Sequence, residues 1–172
     1  MEKTMMQHTL VAHMENKPGV LNRVSGLFRR RNYNIEALCV GHSETPGISR
    51  MTIVVNGDNR IVEQVVKQLY KLVNVTAVVD VSDQPSVIRE LALIKVEAKP
   101  GTRMEIIELT KVFHGRVVDV GSEAMTVEVT GPEERVNSLV RLLQPFGIRE
   151  LARTGRMALV RSDDGREPIL ES

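Results

Sequence analysis

The chain has 172 residues, 42% hydrophobic and 26% charged, which suits one mid-sized globular domain or two small ones. Its formal net charge of +1 gives no general attraction to nucleic acid or to an anionic membrane. No apolar run approaches the roughly 20 residues of a membrane span, and the single cysteine, Cys39, excludes an internal disulfide and suits a reducing cytoplasm.

The start, "MEKTMMQHTLVAHM", lacks the apolar or Arg/Ser-rich character of a targeting segment, so the expected location is the cytoplasm. Within it, His8–Met14 is rich in strand formers. A turn at "ENKPG" follows. Val20, Leu21, Val24, Leu27 and Phe28 then recur on one face of a helix. Asn34–His42 and Ile48–Val55 read as strands around the loop "SETPG". Val62, Val65, Val66 and Leu69 mark a second helix, and the alternation of Val73–Val81 predicts a fourth strand. Further on, Leu91–Ala98 predicts a strand, and Ile106, Leu109, Thr110 and Phe113 a helix. Arg116–Val120 and Met125–Thr130 predict a tight hairpin, and Pro132–Leu143 a helix opened by proline. Ile148–Ala152, or a later segment, would be the last strand.

The second list repeats the first. "ENKPG" at Glu15–Gly19 returns as "EAKPG" 82 positions later, and "MTIVVNG" at Met51–Gly57 returns as "MTVEVTG" 74 positions later. Most of the missing eight residues come from one loop, "VGHSETPGISRM" shortening to "VGSEAM". The predicted fold class is therefore α+β, two ferredoxin-like βαββαβ domains in tandem. The first domain would span 1–82, a linker 83–90, the second domain 91–160 and a tail 161–172. Helices on one face of each sheet leave the other face open. Both faces of the strands carry apolar side chains, so that open surface predicts self-association.

The stretch "ENKPGVLNRVSGLFRRRNYNIE" supports two readings. Asn16 could cap the helix by accepting from the Gly19 N–H, Pro18 would fit the first turn, and Asn34 could pair with backbone. Alternatively, the N–H groups of Gly19 and Val20 face a ligand carboxylate, aided by the helix dipole. Gly19 would permit close approach, and the amide oxygens of Asn16 and Asn34 would accept from an ammonium group. The repeat acts as an internal control. The second copy keeps "KPG" but has Ala98 in place of Asn16 and no asparagine in "HGRVVD", so a binding role would belong to the first copy.

"ENKPGVLNRVSGLFRRRNYNIEALCVG", with "SRMTIVV", "KQLYKLVNV", "GRVVDVG" and "ARTGRMALVR", resembles the small regulatory subunit of acetolactate synthase, a family with an N-terminal ACT domain. The resemblance covers nearly the whole chain. It implies a subunit with no catalytic residues and no metal site of its own. Such a subunit stimulates a large catalytic subunit that uses thiamine diphosphate, Mg²⁺ and FAD to make acetolactate from pyruvate. It also implies feedback inhibition by valine or a related branched-chain amino acid, with ACT domains paired side by side and the effector at their interface. Carried over by motif, Asn16, Gly19, Val20, Asn34 and Ile35 would form that site. Asn32 departs from the family's glycine in "RGYNI", but asparagine tolerates the left-handed conformation needed there. The alternative is an ACT-type sensor acting on a different enzyme or on transcription.

The remaining features are plainer. The four histidines show no metal-ligand spacing, with His8 and His13 on opposite faces of one strand. Cys39 reads as a small core residue, and Arg29–Arg31 complement a helix C-terminus. The strands 8–14 and 50–56 carry no aromatic for base stacking. The loop 42–50, long only in the first copy, is a candidate contact with the catalytic subunit.

Overall fold

The computed structural model describes residues 6–162; most of the predicted tail lies outside them. The chain divides into two compact units, residues 6–87 together with 158–162, and Ile88–Met157.

The first unit contains β1 (Met6–Glu15), α1 (Val20–Arg30), β2 (Ile35–His42), β3 (Ile48–Gly57), α2 (Asn59–Leu69) and β4 (Val75–Asp80). Its antiparallel sheet has the order β2-β3-β1-β4, the expected split βαβ arrangement. Leu10, Ala12 and Met14 of β1 and Met51, Ile53 and Val55 of β3 meet Val24, Leu27 and Phe28 of α1 and Val62, Val65 and Leu69 of α2. These are the apolar positions of the two helical stripes and of one strand parity.

The second unit repeats the order with β5 (Ser86–Glu97), α3 (Arg103–Val112), β6 (Arg116–Val120), β7 (Ala124–Gly131), α4 (Glu133–Leu143) and β8 (Ile148–Arg153). Its strands run β6-β7-β5-β8, and β9 (Met157–Val160) pairs with β5. The core is Ile94 and Val96 with Ile106, Val127, Val129, Val136, Leu139 and Leu143.

Backbone detail confirms the register of the repeat. Glu15 N–H donates to Asn74 O and Glu97 N–H to Gly147 O; Asn16 N–H donates to Gly47 O and Ala98 N–H to Glu123 O. Asn32 and His114, 82 positions apart, both have φ 56°. Each ends its helix in a Schellman motif. Tyr33 N–H reaches Phe28 O and Asn32 N–H reaches Arg29 O, matched by Gly115 to Thr110 and His114 to Lys111. Asn32 thus takes the conformation expected where the family has glycine. Tyr33 stacks edge-on against Phe28, 6.3 Å between centroids, the hydrophobic contact that accompanies such a cap.

Three expectations need correction. The segment read as a linker, 83–90, is strand from Ser86 onward, because Val87 and Ile88 open β5 and β9 supplies it with a pairing partner. Both candidate last strands form, and residues 158–162 group with the first unit rather than the second. The second face of the first sheet is not open. Thr9, Val11, His13, Thr52 and Val54 are all buried within the single chain, Val54 to 1% exposure. On that face Arg50 donates to Ala158 O at 2.6 Å, so the C-terminal strand contributes to the cover. The second sheet differs. Its corresponding face carries the cross-strand pairs Lys95–Glu150 at 2.7 Å and Arg116–Glu128 at 2.7 Å together with Leu93, which is 38% exposed.

Candidate functional site

The predicted cap is absent. Gly19, at φ 85° and ψ −9°, occupies the N-cap position of α1, and no side chain bonds to the helix end. Pro18 and Gly19 are the central residues of a turn closed by Val20 N–H to Lys17 O at 3.4 Å, the geometry of a type II turn. Proline fits its first central position and only glycine accepts the positive φ of its second without strain. Asn16 is therefore left outside the helix, exposed, with its side chain free of capping duty. Among the described residues the Gly19 N–H has no acceptor, while the Val20 N–H is engaged by that long bond and its side chain is buried.

Around this turn lies a small polar cluster. Asn74 donates to Glu15 at 2.5 Å, Lys17 donates to the same carboxylate at 3.1 Å, and Arg23 donates to Asn74 Oδ1 at 2.7 Å. The Asn74 hydrogen bond, then that of Lys17, holds the Glu15 carboxyl below the usual carboxylate range. Asn16 Nδ2 lies 3.5 Å from Nδ1 of His42, the last residue of β2. His42 was missed by sequence reasoning, since only the register of β2 brings it to the end of β1. The hairpin loop above it is stitched by Ser43, whose hydroxyl proton has Ile48 O at 3.0 Å and Thr45 O at 3.2 Å as its acceptors and whose oxygen accepts from the Thr45 N–H.

Asn34 and Ile35 stand elsewhere. They follow the C-terminal end of α1, and Ile35 pairs with Val55, which pairs with His8 on its other side. Asn16 and Gly19 instead adjoin the end of the sheet where Glu15 meets Ile48. The 11 residues of α1 separate the two groups by about 16 Å at 1.5 Å per residue. Asn34 is exposed and donates to Glu36 at 2.5 Å, and Ile35 is half-buried against the core. Nearby, His8 is buried with both ring nitrogens unbonded among the described residues, Nδ1 being 3.5 Å from Asp80 Oδ2. One chain thus brings together Asn16, Gly19 and Val20, and sets Asn34 and Ile35 at the other end.

β2 is the edge strand on this side of the first sheet. Its outer backbone groups are unpaired among the described residues, and it presents Val40 at 43% exposure. A strand of this length and character is a template for pairing with another chain.

Among the described residues no group of three or more His, Cys, Asp or Glu side chains could hold a metal, and no helix is long and apolar enough to cross a membrane.

Two family profiles match the chain, one described as an AHAS small subunit-like ACT domain over residues 10–77 and one as the small subunit of acetolactate synthase over residues 89–162. A protein from Archaeoglobus fulgidus described as a probable acetolactate synthase small subunit is 52% identical over 158 residues, 92% of this chain and 99% of that one. The acetolactate synthase small subunit of Mycobacterium bovis is 50% identical, covering 92% of this chain and 94% of its own length. The crystal structure of the small subunit from Thermotoga maritima superposes with a TM-score of 0.85 at 41% identity, covering 91% of this chain and 98% of that one. The chain belongs to the acetolactate synthase small subunit family.

Proposed function

We propose that this chain is a non-catalytic, cytoplasmic regulatory subunit that stimulates a large acetolactate synthase subunit and makes it sensitive to valine or a related branched-chain amino acid. Any thiamine diphosphate, Mg²⁺ and FAD would belong to that partner. The observation that carries the effector reading is the separation of the candidate residues within one chain. Two copies joined antiparallel through their β2 edges, centred on the strand, set Ile35 of one opposite His42 of the other. His42 adjoins Asn16. The same pairing therefore brings Asn34 and Ile35 of one copy to Asn16 and Gly19 of its mate, twice per dimer.

Each composite site has the parts an amino-acid zwitterion requires. The Gly19 N–H at the positive end of α1 suits a carboxylate. The amide oxygens of Asn16 and Asn34 suit an ammonium without burying a protein charge. Ile35, half-buried, offers apolar surface to a branched side chain. Such a pocket separates valine from leucine or isoleucine by only about 1–3 kcal/mol, so the effectors overlap. Inhibition follows if the effector binds more tightly to a dimer arrangement that stimulates the catalytic subunit less; only that differential affinity can shift the population.

The test is to combine the chain with an acetolactate synthase large subunit and measure carboligation with and without L-valine. The expected result is a rate above that of the large subunit alone, lowered by valine. An unchanged rate on adding the chain overturns the regulatory reading and favours a sensor for another enzyme or for transcription. Stimulation without any response to valine, leucine or isoleucine overturns the effector reading alone.

A further inference from the structure

The second unit contains the counterpart of the Lys-Pro-Gly turn and hairpin, but there the space between them is filled. Arg103 Nε donates to Ala98 O at 3.0 Å, and Nη2 donates to Gly121 O at 2.8 Å and to Ser122 O. One guanidinium thus ties the end of β5 to the β6–β7 turn. The repeat places Leu21 in register with Arg103, since Val24 and Ile106, Leu27 and Leu109, and Phe28 and Thr110 occupy matching helix positions 82 apart. Leu21 is 47% exposed and carries no donor. In the first unit's longer loop the Ile48 carbonyl instead accepts from the Ser43 N–H at 3.0 Å and lies 3.0 Å from the Ser43 hydroxyl. The entry turns differ as well. Gly101 lacks the positive φ of Gly19, although the same closing bond forms, Thr102 N–H to Lys99 O at 2.9 Å against Val20 N–H to Lys17 O at 3.4 Å.

We infer that the second unit keeps a cation-accepting cleft, formed by the carbonyls of Ala98, Gly121 and Ser122, that is filled by the chain's own Arg103 and so closed to small ligands. The class of molecule the cleft takes is a planar, multiply donating cation, a guanidinium or amidinium, because two nitrogens of one rigid fork serve the three carbonyl oxygens. A leucine at this position gives the first unit no such tie; an arginine supplies it in the second. The duplication has yielded one unit available to an effector and one that binds itself. The functional consequence, one effector site per chain, rests on the effector reading above, whereas the filled cleft stands on its own contacts.

The test uses the full-length chain with Arg103→Ala and, as a variant that keeps most of the aliphatic stem, Arg103→Gln. Each is titrated with methylguanidinium chloride against sodium chloride of equal ionic strength, following the backbone amide resonances of Ala98, Gly121, Ser122 and their neighbours. Saturable shifts confined to this cluster in the Ala variant, absent in the unsubstituted chain and reduced in the Gln variant, are expected. Methylguanidinium should also raise the thermal midpoint of the Ala variant more than that of the unsubstituted chain. No saturable shift in either folded variant, or the same shifts in the unsubstituted chain, overturns the filled cleft and leaves the effector reading untouched. L-Valine binding twice per unsubstituted chain in calorimetry overturns the single-site consequence and leaves the Arg103 cleft standing.

Discussion

Asn16 and Asn34 lie at opposite ends of α1, yet the residue 3.5 Å from the Asn16 amide is His42, which ends the edge strand that Asn34 precedes. This places the two halves of the candidate site at the two ends of one pairing edge. Mixing Asn16→Ala and Asn34→Ala chains discriminates a composite site from a single-chain one. Each homodimer should lose valine affinity by about 10- to 100-fold, the worth of a hydrogen bond to a charged group. In the mixed dimer, one site carries both substitutions and the other carries neither. Calorimetry after subunit exchange should then recover unsubstituted affinity at one site per mixed dimer. No recovery would overturn the composite site.

The two Pro-Gly pairs are alike in sequence and different in backbone, so their glycines should respond differently to a methyl group. Neither Gly19 nor Gly101 has an atom within 4 Å of an added Cβ, which leaves conformation as the deciding factor. Gly19→Ala must hold alanine at φ 85° and should cost about 1–2 kcal/mol in urea unfolding. Gly101→Ala should be neutral or stabilise by up to about 1 kcal/mol, by restricting the unfolded chain. Equal losses at both would mean that the two turns share one conformation.

The helix ends allow a similar comparison. Asn32 and His114 both sit at φ 56° in the capping position where glycine is most at ease. His114→Gly should therefore stabilise the chain by up to about 1 kcal/mol. Asn32→Ala should destabilise it by about 1 kcal/mol, because alanine lacks the local tolerance of asparagine. Denaturant midpoints with an unchanged slope would confirm that only the caps are affected.

The repeat, the strand parities and the helical stripes were legible because each depends on local periodicity, and Val24, Leu27 and Phe28 pack where their spacing puts them. What failed was set by a local backbone conformation or by partners distant in sequence. Asn16 has every property of a cap, but the left-handed Gly19 takes that position and turns the chain away first. Ser86–Glu90 reads as polar linker because its pairing partner, β9, lies about seventy residues on. The apolar second parity of the strands suggested an open face, and in the first sheet Val54 of that parity is instead buried to 1% exposure. The candidate site was legible as a set of residues, through "ENKPGV" and "YNIE", but not as two separated halves. That separation follows from the direction of α1 between them.

His13 offers a test of the buried second face of the first sheet. Its ring Nε2 lies 3.4 Å from Arg50 Nη1, and Arg50 in turn holds Ala158 O. Burial, then the Arg50 charge, lowers the His13 pKa below its ordinary 6.5, with Glu44 opposing. The β4 neighbour opposite His13 is Ala77, which brings no charge. Because the folded pKa is the depressed one, the unfolded chain binds the proton first. Stability from His13 is thus fully present above about pH 6.5 and falls as pH drops through the folded value. Glu15 and Glu150 are also lowered, but from 4.5, so their losses begin at more acid pH. Between about pH 7.5 and 5, the thermal midpoint of the unsubstituted chain should therefore decline more steeply than that of His13→Gln, which cannot take up a proton. Parallel curves would show that the imidazole titrates alike in both states, and that the face carrying Val11, Thr52 and Val54 opens to water around it.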